Sequence, residues 1–174
     1  MIQNIHKSWE YFFQNESNKS YFKDLISILN NEYDNYQILP EKELIFKVFQ
    51  LPITDIKVII IGQDPYPTPG HANGIAFSVN ENIKLPKSLN NIFKEVKKDY
   101  PNFNKLNGDL SDWLNSGIFL INTILSIRSN EILSHKGIGW EIFTENLLDY
   151  IKNNTSNKKK GYFSLETRRS LVVV

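Results

Sequence analysis

Val58-Ile59-Ile60-Ile61-Gly62-Gln63-Asp64-Pro65-Tyr66-Pro67-Thr68-Pro69-Gly70-His71-Ala72-Asn73-Gly74-Ile75-Ala76-Phe77-Ser78-Val79 is the stretch that decides how this chain folds. Its first four residues are β-branched and apolar without interruption. Such a run suits a parallel strand buried on both faces. The strand empties into a loop carrying an acid (Asp64), two aromatics (Tyr66, Phe77) and an amide (Gln63). A rigid strand that delivers reactive groups at its C-terminal end is how α/β enzymes build sites.

Outward from this stretch, helical and strand patterns alternate. Residues 8–14 and 20–30 carry apolar residues at helical spacing: Trp9, Phe12 and Phe13, then Phe22, Leu25, Ile26, Ile28 and Leu29. Glu41 to Phe49 reads as a helix behind Pro40, with Leu44, Ile45, Val48 and Phe49 on one face. Ser88 reads as the N-cap of a helix running to Lys98, with Pro101 beyond its end. A short helix starts at Asp109 and is closed by Gly117. Ile118-Phe119-Leu120-Ile121 is a second buried strand, ending at Asn122, and Gly139 to Ile151 is a further helix. Strands alternating with helices predict an α/β fold of three layers, α/β/α, around a central parallel sheet.

In a parallel sheet both strand ends open on the same side. Gln63, Asp64, Tyr66 and Phe77 from the first can therefore converge with Asn122 from the second. An acid beside an aromatic wall and a planar amide suits a flat heterocycle: the ring stacks and the amide reads a donor–acceptor edge. The same residues are open to a blander reading, in which Asp64 and Asn122 cap loops and Phe77 fills the core. A Gly-x-Gly-x-x-Gly phosphate loop, the mark of a nucleotide-binding protein of another class, is absent.

Bulk properties bound the rest. The chain has 174 residues, enough for one domain. It has no cysteine, which excludes disulfides and thiolate metal sites and is compatible with a reducing compartment. His6, His71 and His135 lie too far apart in sequence to announce a metal site. No apolar run approaches the roughly 20 residues of a membrane span, and the first residues lack a signal-peptide pattern, so a cytoplasmic protein without membrane contact is expected. Net charge is +1, low for a nucleic-acid binder. Lys84, Lys87, Lys94, Lys97, Lys98 and Lys105 follow the central motif, but each alone reads as part of a solvated face.

Gly62-Gln63-Asp64-Pro65-Tyr66 with Ala76-Phe77-Ser78-Val79 resembles the signature of family 1 uracil-DNA glycosylases. So do Pro86-Lys87-Ser88-Leu89-Asn90-Asn91-Ile92-Phe93, Gly108-Asp109-Leu110 with Trp113, Leu120-Ile121-Asn122-Thr123, and Ser134-His135 with Gly139-Trp140-Glu141. The resemblance covers about residues 5 to 160. It implies hydrolysis of the N-glycosidic bond of deoxyuridine, in base excision repair, by a monomer acting on single- or double-stranded DNA. Asp64 would orient the attacking water and stabilise the oxocarbenium-like sugar. An exposed aspartate, with an ordinary pKa of about 3.9, is ionised at neutral pH. Phe77 would stack on the flipped uracil, Asn122 would bond its edge, and Tyr66 would exclude a C5 methyl group. The backbone at Gln63 and Asp64 would contact O2, and Pro86 and Ser88 would grip phosphates. His135 matches a family position but reads equally as a structural histidine. No metal or cofactor is implied.

The chain departs from the family in two places. Pro67 stands where the family has histidine, which removes a polar contact beside the site. The family also continues into a further strand and a His-Pro-Ser-Pro-Leu loop, and His-Pro occurs nowhere here. Residues 1–160 are therefore expected to form an incomplete glycosylase domain and 161–174 an aberrant tail, with the last strand and C-terminal loop missing or disrupted. Leu165-Glu166-Thr167-Arg168-Arg169-Ser170 permits codons that read Gly-Asn-Ala-Ala-Gln in another frame, like the family's next turn. Lys158-Lys159-Lys160 upstream can be an adenine run, so a frameshift near Lys160 is expected. Low or no activity, or a non-catalytic uracil- or DNA-binding remnant, would follow.

Overall fold

The computed structural model describes residues 2–155, 162–163 and 171–173. Helix α1 (Glu10–Asn18) follows a short 3-10 turn, and α2 (Ser20–Asn35) follows after Lys19. Strand β1 (Ile38–Leu39) precedes β2 (Val58–Gly62); then come α3 (Lys87–Asp99), α4 (Ser111–Asn115), β3 (Ile118–Asn122), β4 (Ile127–Arg128) and α5 (Trp140–Asn154). Two short strands, β5 (Tyr162–Phe163) and β6 (Leu171–Val173), follow α5.

The sheet order is β3-β2-β6-β5. β2 and β3 are parallel and in register from Val58 opposite Ile118 to Gly62 opposite Asn122. That is the parallel pair the two apolar runs predict. β6 lies antiparallel on the other side of β2, with Leu171 opposite Ile61, and β5 pairs antiparallel with β6. A separate small sheet joins β1 to β4, with Ile38 opposite Arg128. The expected boundary at residue 160, the lysine run and Leu165–Ser170 all fall largely or wholly outside the described residues.

Helices pack on the sheet in two groups. Phe12 and Phe13 of α1 and Phe22 of α2 meet Phe143 of α5. Phe13 and Phe143 in turn meet Phe46 and Phe49, and Phe119 of β3 joins through Trp9 and Phe49. Phe93 of α3, Phe103 and Trp113 of α4 form a second aromatic set. No ring contact links the two sets among the described residues. This gives the three layers expected. Ring pairs of this kind contribute about 0.5–1.5 kcal/mol each beyond simple burial.

Two local expectations are corrected. Residues 41–49 are not an α-helix: they form turns, then a 3-10 segment over Lys47–Gln50. The bonds are one residue shorter than helical, from Leu44 N–H to Glu41 O and from Lys47 N–H to Leu44 O. The segment presses against Gly74, where an added Cβ would lie 2.0 Å from the Leu44 carbonyl oxygen. Apolar spacing alone does not detect that close approach. Ser88 is also not the N-cap of α3; Pro86 occupies that place, and the Ser88 hydroxyl meets Tyr66 instead.

Candidate active site

The parallel register places Gly62 directly beside Asn122 at the ends of β2 and β3. Past these ends the two chains stay linked: Thr123 N–H donates to Gly62 O at 2.9 Å and Ile124 N–H to Gln63 O at 3.0 Å. A cavity of about 230 Å³ opens here. Gln63, Asp64, Tyr66, Phe77, Ser88 and Asn122 all line it. Six of the seven residues singled out from the sequence are thus brought together. Pro86 is not among the lining residues; it is the α3 N-cap, two residues before Ser88.

Each side chain is held by a different device. Gly62 leaves room for the Asn122 amide: a Cβ there would stand 2.2 Å from Asn122 Oδ1. Asp64 Oδ2 accepts the Leu133 N–H at 2.8 Å. The Tyr66 hydroxyl donates to Phe77 O at 3.1 Å and lies 2.8 Å from Ser88 Oγ. Burial holds the Tyr66 phenol above its ordinary pKa of 10.0, so the ring stays neutral.

Phe77 is backed by its neighbours. Its φ of +64° lies in the left-handed region, uncommon for a bulky residue. Ala76 N–H is tied to Leu120 O at 3.1 Å on one side. On the other, the buried Ser78 hydroxyl accepts from Asn73 Nδ2 and Leu110 N–H, both at 2.9 Å, and donates to Gly108 O at 3.3 Å. This frame enforces a conformation the ring would otherwise leave.

The histidines and lysines named from the sequence do not line the cavity. His135 is 2% exposed and bonded to Ser126 and Glu32, the structural reading of that residue. Lys98 pairs with Glu95 and Lys105 with Asp112. Among the described residues no group of three His, Cys, Asp or Glu could hold a metal ion, and no helix is long and apolar enough to cross a membrane. Pro67 lines the cavity and its carbonyl accepts the Asn130 N–H at 2.8 Å.

Ser78, Asn73 and the Leu133 N–H were not legible in advance. Leu133 contributes a backbone donor, which no side-chain pattern can signal. Ser78 and Asn73 carry a weak signal, as polar residues inside an otherwise apolar stretch after Gly70.

The family of the chain is shown by its similarity to known proteins. The Uracil DNA glycosylase superfamily matches residues 49–162. The uracil-DNA glycosylase of Borreliella burgdorferi (strain ZS7) is 49% identical over 156 residues, 88% of this chain and 70% of that protein. The uracil-DNA glycosylase of Mesomycoplasma hyopneumoniae (strain 7448) is 47% identical over 148 residues, 84% of this chain and 67% of that protein. The crystal structure of mimivirus uracil-DNA glycosylase superposes with a TM-score of 0.79 at 34% identity, covering 87% of this chain. This chain spans 58% of the mimivirus chain. By sequence and by fold, the chain belongs to the uracil DNA glycosylase superfamily.

Proposed function

We propose that the cavity at the ends of β2 and β3 receives a uracil base flipped out of DNA, and that the chain hydrolyses its glycosidic bond. The observation that carries this reading is the convergence of Gln63, Asp64, Tyr66, Phe77 and Asn122 on one cavity of about 230 Å³. That volume is below the usual range of about 300–1,000 Å³ for drug-sized ligands, and so favours a single flat ring.

In this mechanism the bond between the sugar C1′ and uracil N1 breaks, and its electron pair leaves with the base. Positive charge grows on the sugar, and the Asp64 carboxylate stabilises it. A water held by Asp64 then bonds to C1′ and gives its proton to the Asp64 carboxylate, which releases it to solvent, while the uracil anion takes up a proton from solvent after it leaves. Phe77 stacks on the flipped ring. The Asn122 amide pairs with the uracil edge: its oxygen accepts from N3–H and its NH₂ donates to O4. Cytosine presents the opposite pattern at both atoms and leaves the amide unpaired under the bound ring, which costs about 1–3 kcal/mol. Tyr66 stands beside C5, where a methyl group would collide. Ser88 and Pro86 at the start of α3 serve the neighbouring phosphates. Flipping costs a few kcal/mol, which stacking and phosphate contacts offset.

The substrate on this reading is uracil-containing DNA, single- or double-stranded, met by a monomer in the cytoplasm. On this reading residues 1–160 are an incomplete glycosylase domain and 161–174 an aberrant C-terminal segment, of which Leu171–Val173 pairs with β2. Free bases test the pocket without relying on turnover. Uracil titrated into ¹⁵N-labelled chain is expected to shift the Asn122 side-chain amide. An equal shift with cytosine would contradict the assignment.

A further inference from the structure

A buried polar chain lies outside the residues that line the cavity. Trp140 Nε1–H donates to Ser126 Oγ at 2.8 Å, and Ser126 Oγ lies 2.8 Å from His135 Nδ1. His135 Nε2 lies 3.2 Å from Glu32 Oε2. Arg128 grips the same carboxylate twice, Nε to Oε2 at 2.6 Å and Nη2 to Oε1 at 2.9 Å. The Arg128 guanidinium also stacks 3.8 Å from the Tyr36 ring centre. The ends of the chain set its proton order. Indole N–H can only donate and a carboxylate can only accept. Ser126 O–H therefore donates to Nδ1, and His135 Nε2–H donates to Glu32.

These groups fix both ends of one loop. Ser126 and Arg128 stand at its start, Ser134 and His135 at its finish. The ends are also tied to each other, since Arg128 N–H donates to Ser134 Oγ at 2.7 Å. Between them, the loop meets the β2 strand-end segment twice, each time through the backbone. Leu133 N–H donates to Asp64 Oδ2 at 2.8 Å and Asn130 N–H to Pro67 O at 2.8 Å. Both donors sit at positive φ, +61° for Leu133 and +64° for Asn130. Left-handed backbone at non-glycine residues persists only where its surroundings enforce it.

We infer that the Glu32–His135–Ser126 chain, with Arg128, is a positioning device for Asp64: it holds the 127–135 loop so that the Leu133 N–H fixes the carboxylate. This rests on the reading of Asp64 as the acid that acts on the sugar. None of the four residues lines the cavity.

Glu32→Gln removes the charge that Arg128 and His135 share while keeping size. In the folded variant, the Leu133 amide should lose at least about ten-fold of its exchange protection, while amides of β2 and β3 keep theirs. Uracil release from single-stranded DNA should fall about ten- to a hundred-fold in kcat at unchanged KM, the scale of a sub-ångström to ångström misplacement. In an Asp64→Asn background the same substitution should produce no further loss, because its effect passes through Asp64. An unaltered Leu133 amide in Glu32→Gln, or an equal loss in both backgrounds, overturns the inference. Should Glu32→Gln not fold, His135→Asn is read the same way, and a folded His135→Asn with a fully protected Leu133 amide also overturns it. Asp64→Asn alone keeping the parent rate would sink the role of Asp64 itself, a separate failure.

Discussion

Gly62 and Asn122 face each other across the parallel β2–β3 pair, and the Asn122 amide occupies the space a Cβ of residue 62 would need, 2.2 Å from Oδ1. The amide is thus aimed by the absence of a side chain on the neighbouring strand. Asn122 Oδ1 is the free end of a side chain, so it can turn away without moving backbone. Gly62→Ala is therefore expected to fold with little change in Tm while losing uracil affinity about ten- to a hundred-fold, the loss of one or two buried hydrogen bonds. Uracil titration beside a melting curve checks this. Intact affinity with a shifted Tm would show that the glycine matters for packing alone.

Ser78 supports Phe77 in the same indirect way. Its buried hydroxyl joins Asn73, Gly108 and Leu110 around a residue at φ +64°. Ser78→Ala leaves the Leu110 N–H and the Asn73 amide without that partner, at about 1–3 kcal/mol of stability. Urea unfolding measures that cost. The weakened frame should also relax Phe77, so that KM for uracil-DNA rises more than kcat falls. A stability loss with unchanged KM would separate Ser78 from base stacking.

Acid should destabilise the fold through Glu32 and His135. Burial is the largest influence on His135 and lowers its pKa from 6.5, helped by Arg128 and opposed by Glu32 and Glu131. The unfolded chain therefore takes up that proton first as pH falls. The stability His135 contributes is complete above about pH 6.5 and is lost as pH drops toward its lower folded value. Glu32 is lowered from 4.5, chiefly by its hydrogen bond to Arg128, so its contribution is lost below pH 4.5. Both run in one direction. The urea midpoint should fall from pH 7.5 to pH 5.5, and fall less in His135→Asn. A midpoint that rises on acidification would contradict the buried neutral histidine.

What the sequence revealed follows the range of the forces involved. The β-branched runs at 58–61 and 118–121 announce buried strands, because burial on both faces demands apolar residues throughout. From their ends, Asp64, Tyr66, Phe77 and Asn122 could be placed on one side. Glu41–Phe49 misleads because the approach of Gly74 to the Leu44 carbonyl, 30 residues apart, overrides helical spacing. Ser88 misleads because a hydroxyl at a helix start can serve the cap or a neighbour, and here Tyr66 takes it. The grip of Leu133 on Asp64 is invisible in advance, since a backbone N–H carries no residue identity.

The proposed chemistry requires Asp64 to act at the sugar of deoxyuridine. The direct measurement is base release from single-stranded DNA carrying uracil, cytosine or thymine at one site, by the parent chain and by Asp64→Asn. Slow release of uracil alone, lost in Asp64→Asn, is the predicted result. Release that is the same with Asn at position 64, or that does not distinguish uracil from cytosine, would contradict it.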